Sequence, residues 1–296
     1  MKPAPFKYLA VRSADEALSL KAEHGGDAWF LAGGQSLVPA LNFRLAQPAF
    51  LIDINAVDEC EGVAIRDGRL SIGALTRYRT LQRSAIVAVR APLIAEALPH
   101  IAHPQIRNRG TIGGNLSHAD PASELPAIML AADARMRLRS SGGERWLDAR
   151  AFFMGALTTA LETEEMLVEI ELPVPAPRTG TAFMEVARRR GDFAIMGIAA
   201  TLRLAEDGRC SNARLAYCGA GDGPVLATAA AAALAGSRVG DVDIAAAAAE
   251  ASREVEPLGS IHAGSDYQRH LAGVLTRRAL AAARERARAA AANQET

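Results

Sequence analysis

Two glycine pairs carry the chemistry this sequence offers. The longer stretch is Arg109-Gly110-Thr111-Ile112-Gly113-Gly114-Asn115-Leu116-Ser117-His118-Ala119-Asp120-Pro121-Ala122-Ser123-Glu124. The shorter is Phe30-Leu31-Ala32-Gly33-Gly34-Gln35-Ser36-Leu37. Glycine has no Cβ, so its backbone can take φ > 0 and come close to a ligand. Successive bare N–H groups then form a concave anion site. Taken singly, each pair is a tight turn. Two of them in polar company suggest two backbone surfaces closing on one phosphate-bearing ligand. Thr111 and Ser117 donate hydroxyls, Asn115 both donates and accepts, and Asp120 and Glu124 accept. A nucleotide needs that mix: N–H groups for a pyrophosphate and acceptors for ribose or ribityl hydroxyls.

Other candidates are weaker. Arg107 and Arg109 flank the longer stretch and could pair a diphosphate or stand as solvated charges. His100 and His103 are three apart, but Pro99 and Pro104 bracket them and no third ligand presents itself, so no metal site is expected. His118 is the histidine expected to touch a ligand. Gly191-Asp192-Phe193 follows Arg188-Arg189-Arg190 and offers an aromatic ring on a turn, either core or packed on a planar cofactor. No serine-hydrolase elbow, Walker lysine loop or His-Glu-x-x-His occurs.

The elements that must position these residues follow from pattern. Ser13-Ala14-Asp15-Glu16 reads as a capping box opening a helix that ends at Gly25-Gly26. Residues 28–32 read as a buried strand delivering Gly33-Gly34, with a spacing that is not the dinucleotide GxGxxG. Residues 50–54 form another strand. Residues 63–73 form a hairpin around Asp67-Gly68. Helices are expected at 76–84, 86–99 and 125–132. A second hairpin joins 134–139 to 145–148, and 166–172 is a strand. Pro173 to Gly180, with three prolines in five residues, is the linker. Beyond it, strands at 181–189, 195–204 and 214–218 precede alanine-rich helices near 225–235, 242–254 and 266–290, alanine being the best helix former. The fold class is therefore α+β.

The totals set bounds. The chain has 296 residues with 50% apolar content, and Lys+Arg and Asp+Glu are both 33. Zero formal charge argues against nucleic acid or an acidic membrane as partner. Three scattered cysteines (Cys60, Cys210, Cys218) make neither a disulfide framework nor a four-cysteine cluster. No apolar leader and no membrane span is apparent, so the cytoplasm is the expected location.

Ala32-Gly33-Gly34-Gln35-Ser36-Leu37 and Thr111-Ile112-Gly113-Gly114-Asn115, followed by Ala119-Asp120-Pro121-Ala122-Ser123-Glu124, resemble the two FAD loops of the flavin-carrying medium subunit of molybdenum hydroxylases. That family includes carbon monoxide dehydrogenase and the flavin domain of xanthine dehydrogenase. The resemblance extends to Phe6-Lys7-Tyr8, Glu164-Glu165-Met166-Leu167 and Arg190-Gly191-Asp192-Phe193-Ala194. It implies a p-cresol-methylhydroxylase-type FAD-binding domain over 1–175, in subdomains of about 1–57 and 58–175. A C-terminal flavoprotein domain of three strands and helices over 176–287 would follow, then a frayed tail over 288–296. It also implies that Leu31 to Leu37 (Leu31, Ala32, Gly33, Gly34, Gln35, Ser36, Leu37) and Thr111 to Asn115 (Thr111, Ile112, Gly113, Gly114, Asn115) bind FAD noncovalently, gripping the pyrophosphate between them. His118 would lie near the isoalloxazine and Ser123 and Glu124 near the ribityl chain or pyrophosphate end. Ile101 and Leu167 would pack on the cofactor, and Phe193 would stand beside the flavin ring. Met184 stands where some relatives have lysine, which leaves the electron acceptor open. Gln35 stands where some carbon monoxide dehydrogenases have histidine, so carbon monoxide is not implied as substrate.

By the same resemblance the chain relays electrons. A small subunit would carry 2Fe-2S clusters and a large subunit molybdopterin, with two heterotrimers paired. No catalytic residue and no metal ligand is expected on this chain. The alternatives are a stand-alone FAD-dependent oxidoreductase of the same fold, and a binding module that lost its cofactor.

Overall fold

A computed structural model describes residues 2–292. The N-terminal unit is a parallel sheet of three strands. Phe50–Asp53 lies at its centre, between Lys7–Ala10 and Ala28–Leu31. Helix Ala14–His24 packs on it, and Ser13 Oγ accepts from Glu16 N at 3.2 Å as a cap should. The Glu16 carboxylate reaches Arg12 N instead of Ser13 N, so the capping box is half made. Gly25, at φ 54°, ends the helix where an L side chain would be strained. The Ala28–Leu31 strand buries only Ala28 fully; Trp29 is exposed.

The second unit is an antiparallel sheet in the order Val63–Arg66, Arg69–Gly73, Met166–Pro173, Arg135–Ser140, Gly143–Asp148. Asp67 and Gly68 both have positive φ at the first hairpin, as the twist-matched two-residue turn requires. The helix expected over 86–99 is two helices, Ala85–Arg90 and Pro92–Ala97. Pro92 has no N–H and pushes Ala91 out of helical geometry, to φ −137° and ψ 61°. Helix Glu124–Ala131 is buried along its whole length.

The third unit is a sheet of four strands, not three: Thr179–Ala187, Ala194–Leu204, Cys210–Cys218 and the short Val225–Leu226. The last pair was expected to be helical; that helix starts later, as Thr228–Ala232. Helices Asp241–Glu254 and Ser265–Ala292 cover one sheet face. The tail expected to fray from 288 is helical to Ala292, because Ala283 and Ala287 are buried against the sheet. Residues 293–296 lie outside the described ones. Where Gly180 lies, a Cβ would fall 2.5 Å from Ala287 N, so glycine lets this helix sit on the strand.

The other face of this sheet turns toward the second unit. Phe183, Ala199 and Ala216 pair across three strands and join one core with Leu98, Ile128 and Met136. The linker expected over 173–180 is shorter, because strands claim Pro173 and Thr179. Among the described residues no helix is long and apolar enough to cross a membrane.

Candidate functional site

The two glycine pairs meet in space. A Cβ on Gly33 would fall against the Arg109 carbonyl and 2.9 Å from Gly110 Cα. Only glycine permits that approach. Arg77 braces the contact from behind: its guanidinium donates to the Arg109 carbonyl and to Asn55 Oδ1. Asn55 Nδ2 in turn donates to the Ala32 carbonyl at 2.9 Å. Neither Arg77 nor Asn55 stood out in the sequence, because each acts through backbone atoms of distant segments.

The pairs differ in conformation. Gly34 has φ 73°, in the left-handed region. Gly113 and Gly114 instead open helix Ile112–His118, with Thr111 as N-cap. The expected loop is thus a helix start. Its first N–H groups are already bonded. Ile112 N donates to Thr76 O at 3.1 Å, Gly113 N to Ala74 O at 2.8 Å and Asn115 N to Thr111 O at 3.2 Å. Gly114 N donates to Thr111 Oγ1 at 3.1 Å. In the upstream turn, by contrast, no acceptor among the described residues takes the N–H of Gly34, Gln35 or Ser36. Free donors around a left-handed glycine make an anion nest. The nest therefore belongs to the shorter stretch; the longer one contributes side chains and a close-packed wall.

Both stretches line a cavity of about 670 Å³. Of the residues singled out above, Ala32 through Leu37, Thr111, Gly113, Gly114, Asn115, His118, Ser123 and Glu124 border it. Ile101, Leu167 and Phe193 border it as well. Leu31 and Ile112 do not: Leu31 ends a strand and Ile112 is fully buried in the core. Arg107 and Arg109 do not border it either. Arg107 donates to the Ile101 and Ala102 carbonyls at 3.0 and 2.7 Å, holding a loop. His100 and His103 point to different partners. His100 Nδ1 meets Glu185 Oε1 at 3.1 Å, and His103 packs where a Gly191 Cβ would be. That close approach, at Gly191 φ 89°, presses the 188–193 turn onto the cavity and leaves Phe193 66% exposed at its edge.

The floor is polar and buried. Ser123 Oγ donates to Asn115 Oδ1 at 2.9 Å, and the Tyr78 hydroxyl also bonds Asn115. Burial pushes the Tyr78 hydroxyl far above its usual range. Glu124, 4% exposed, is held up to about 8 by burial first and by the Glu185 charge. Trp29, Tyr78 and Met166 also line the cavity. The period-2 and helical patterns of their segments mark burial and say nothing of a cavity, so sequence reasoning passed them over.

An apolar cavity with a free N–H nest and convergent hydroxyl, amide and carboxyl groups suits a large nucleotide with a flat ring system. The comparisons with known proteins name one. A family described as the FAD binding domain in molybdopterin dehydrogenase matches residues 4–175, and the CO dehydrogenase flavoprotein C-terminal domain matches residues 181–283. The chain is 41% identical over 288 residues to the 6-hydroxypseudooxynicotine dehydrogenase complex subunit alpha of Paenarthrobacter nicotinovorans, covering 97% of each chain. It is 38% identical to the carbon monoxide dehydrogenase medium chain of Hydrogenophaga pseudoflava, covering 96% of this chain and 98% of that one. A solved structure of carbon monoxide dehydrogenase from Hydrogenophaga pseudoflava superposes with a TM-score of 0.94 at 40% identity, over 97% of this chain and 99% of that one. With both halves matched and such identity along nearly its whole length, this chain belongs to the FAD-binding subunits of the molybdenum hydroxylases and is an oxidoreductase flavoprotein.

Proposed function

We propose that this chain is the electron-transfer subunit of a heterotrimeric molybdenum hydroxylase. It takes electrons from the 2Fe-2S clusters of a small subunit and passes them to an external acceptor, while a large molybdopterin subunit oxidises the substrate. Two heterotrimers pair, in the cytoplasm. The relatives, one a complex subunit and one a medium chain, support this division of labour. The observation that carries the reading is the free N–H nest at Gly34 to Ser36, opening on a cavity with an apolar wall.

FAD supplies two-electron and one-electron chemistry when bound, and the protein binds, orients and tunes it. In this reading Gly33 to Leu37 hold the pyrophosphate from one side, and Thr111 and Gly113 to Asn115 wall it from the other. Ser123 and Glu124 serve the ribityl chain. His118, Ile101, Leu167 and Phe193 serve the ring. Leu31 and Ile112 support these groups from behind, since neither borders the cavity. The FAD-binding part is of the p-cresol-methylhydroxylase type, with subdomains 1–57 and 58–175 followed by the C-terminal domain from 176.

One observation favours a second reading. A stand-alone flavin oxidoreductase of this fold needs a general acid, and Glu124, held up to about 8, is protonated at neutral pH inside the cavity. One experiment separates the two. The chain is purified alone and with its co-expressed neighbours, and the visible spectrum is recorded before and after denaturation. The expected result is a flavin spectrum released on denaturation, with iron–sulfur bands only when partners are present. A protein that stays colourless in both preparations defeats the proposal. Full turnover of an organic substrate by the lone chain supports the second reading.

A further inference from the structure

A row of buried titratable groups runs along the seam between the cavity and the C-terminal sheet. Glu185, Gly197 and Cys218 stand side by side on three neighbouring strands. They share a face with Phe183, Ala199 and Ala216, one rung of the core that joins the two parts of the molecule. Gly197 leaves the room this row uses: a Cβ there would lie 2.6 Å from Cys218 Sγ and 3.3 Å from Glu185 Cβ. The Glu185 side chain is 3% exposed. Its Oε1 contacts His100 Nδ1 at 3.1 Å, while Oε2 is buried with no hydrogen-bond partner among the described residues. His100, with its side chain 40% exposed, connects the row to solvent. At the inner end Glu124 borders the cavity, its carboxyl capped by its own backbone N–H. Glu185, His100 and Asp120 act on Glu124 electrostatically; Tyr78 and Cys218 feel its charge; Arg190 acts on His100.

Resting on the FAD reading, we propose that Glu124, tuned by Glu185 and His100, is a redox-linked proton store on the cavity wall. It takes up a proton when the bound flavin is reduced and returns it on reoxidation. Two-electron reduction of an oxidised flavin near neutral pH adds two electrons and one proton and leaves one negative charge on the ring. The electrons come from one-electron iron–sulfur carriers, or from dithionite in the test. A new negative charge in the same low-dielectric cavity raises the proton affinity of Glu124. Burial and the Glu185 charge already hold that carboxyl up to about 8. Below that pH Glu124 is protonated in both redox states and nothing more is taken up. Above it Glu124 is ionised beside the oxidised cofactor, and reduction draws in one further proton.

The test is a spectroelectrochemical titration of the FAD-loaded chain across pH. The midpoint potential is expected to steepen above pH about 8, by about 30 mV per pH unit for one added proton per two electrons. Glu124→Gln removes the steep limb. Glu185→Gln moves the bend to lower pH, because a neighbouring negative charge is gone. His100→Gln moves it to higher pH, because His100 lowers the proton affinity of Glu124. A merely structural role shifts the potential without moving the bend. A straight line in the wild type, or a bend at one pH in all the variants, overturns the proposal. A chain that binds no FAD fails sooner and defeats the FAD reading with it. Glu185 and His100 do not border the cavity, so their variants decide the matter even if Glu124→Gln loses the cofactor.

Discussion

In the proposed reading Gly34 is the residue on which anion binding turns. It has φ 73°, and no acceptor among the described residues takes the N–H of Gly34, Gln35 or Ser36. An L side chain in that region costs about 1–2 kcal/mol. Gly34→Ala therefore lowers FAD affinity by about tenfold, a factor that corresponds to 1.4 kcal/mol. Fluorescence titration of the apoprotein with FAD checks this, and unchanged affinity would place the pyrophosphate elsewhere. Glu124 makes a second prediction at this scale. Its folded-state carboxyl is raised from 4.5 to about 8, so the folded chain holds a proton that the unfolded chain gives up across that window. Stability therefore falls as pH rises from about 4.5 to about 8. Glu124→Gln cannot ionise and should flatten this fall in the apoprotein Tm. An equally steep decline in the variant would remove Glu124 as its cause.

Among the elements, the Ile112–His118 helix matters most, and it is only seven residues long. A helix this short has little stability of its own. Tertiary bonds to Thr76 and Ala74 and the Thr111 cap hold its first turn. Removing such a cap costs about 1 kcal/mol. Thr111→Ala should lower unfolding free energy by that amount and weaken FAD binding, whereas Thr111→Ser, which keeps the oxygen, should do neither. Chemical denaturation with and without FAD measures both effects. The glycines next to the cap are needed for contact rather than freedom: a Cβ on Gly113 would lie 2.5 Å from Ala74 Cβ.

For the molecule as a whole, the proposed cofactor cavity depends on a shared core. Phe193 and Gly191 reach it from the C-terminal sheet, and the nest reaches it from the N-terminal unit. Phe183 is 6% exposed on the seam, with the His100 ring edge-on at 5.7 Å. Replacing a buried phenylalanine by alanine costs about 3–5 kcal/mol. Phe183→Ala should lower stability by that order, and it should loosen FAD although the residue does not border the cavity. Denaturant unfolding and FAD titration on the same preparation test the pair of effects. Lost stability with FAD affinity unchanged would mean that the cavity does not need the seam.

What the sequence alone determined here is local or recurrent. The Ser13 cap, the Asp67-Gly68 turn and the strand leading to Gly33-Gly34 depend on neighbouring residues, so short-range pattern reveals them. Family resemblance marked both glycine stretches as the proposed cofactor segments because their glycines occur with the family's polar neighbours. Tertiary structure decided which segment has free donors. The Thr76 and Ala74 carbonyls reach the Ile112 and Gly113 N–H groups from a distant part of the sequence, and no local pattern announces that contact. It also decided that Arg107 clamps a loop and that Ala287 continues a helix. It alone placed Glu185, inconspicuous in its strand, beside His100 and where its charge acts on Glu124. The physical reason is the same in each instance. A hydrogen bond, a desolvation penalty or a shared charge belongs to whatever surrounds a group, and folding brings those surroundings from remote parts of the chain.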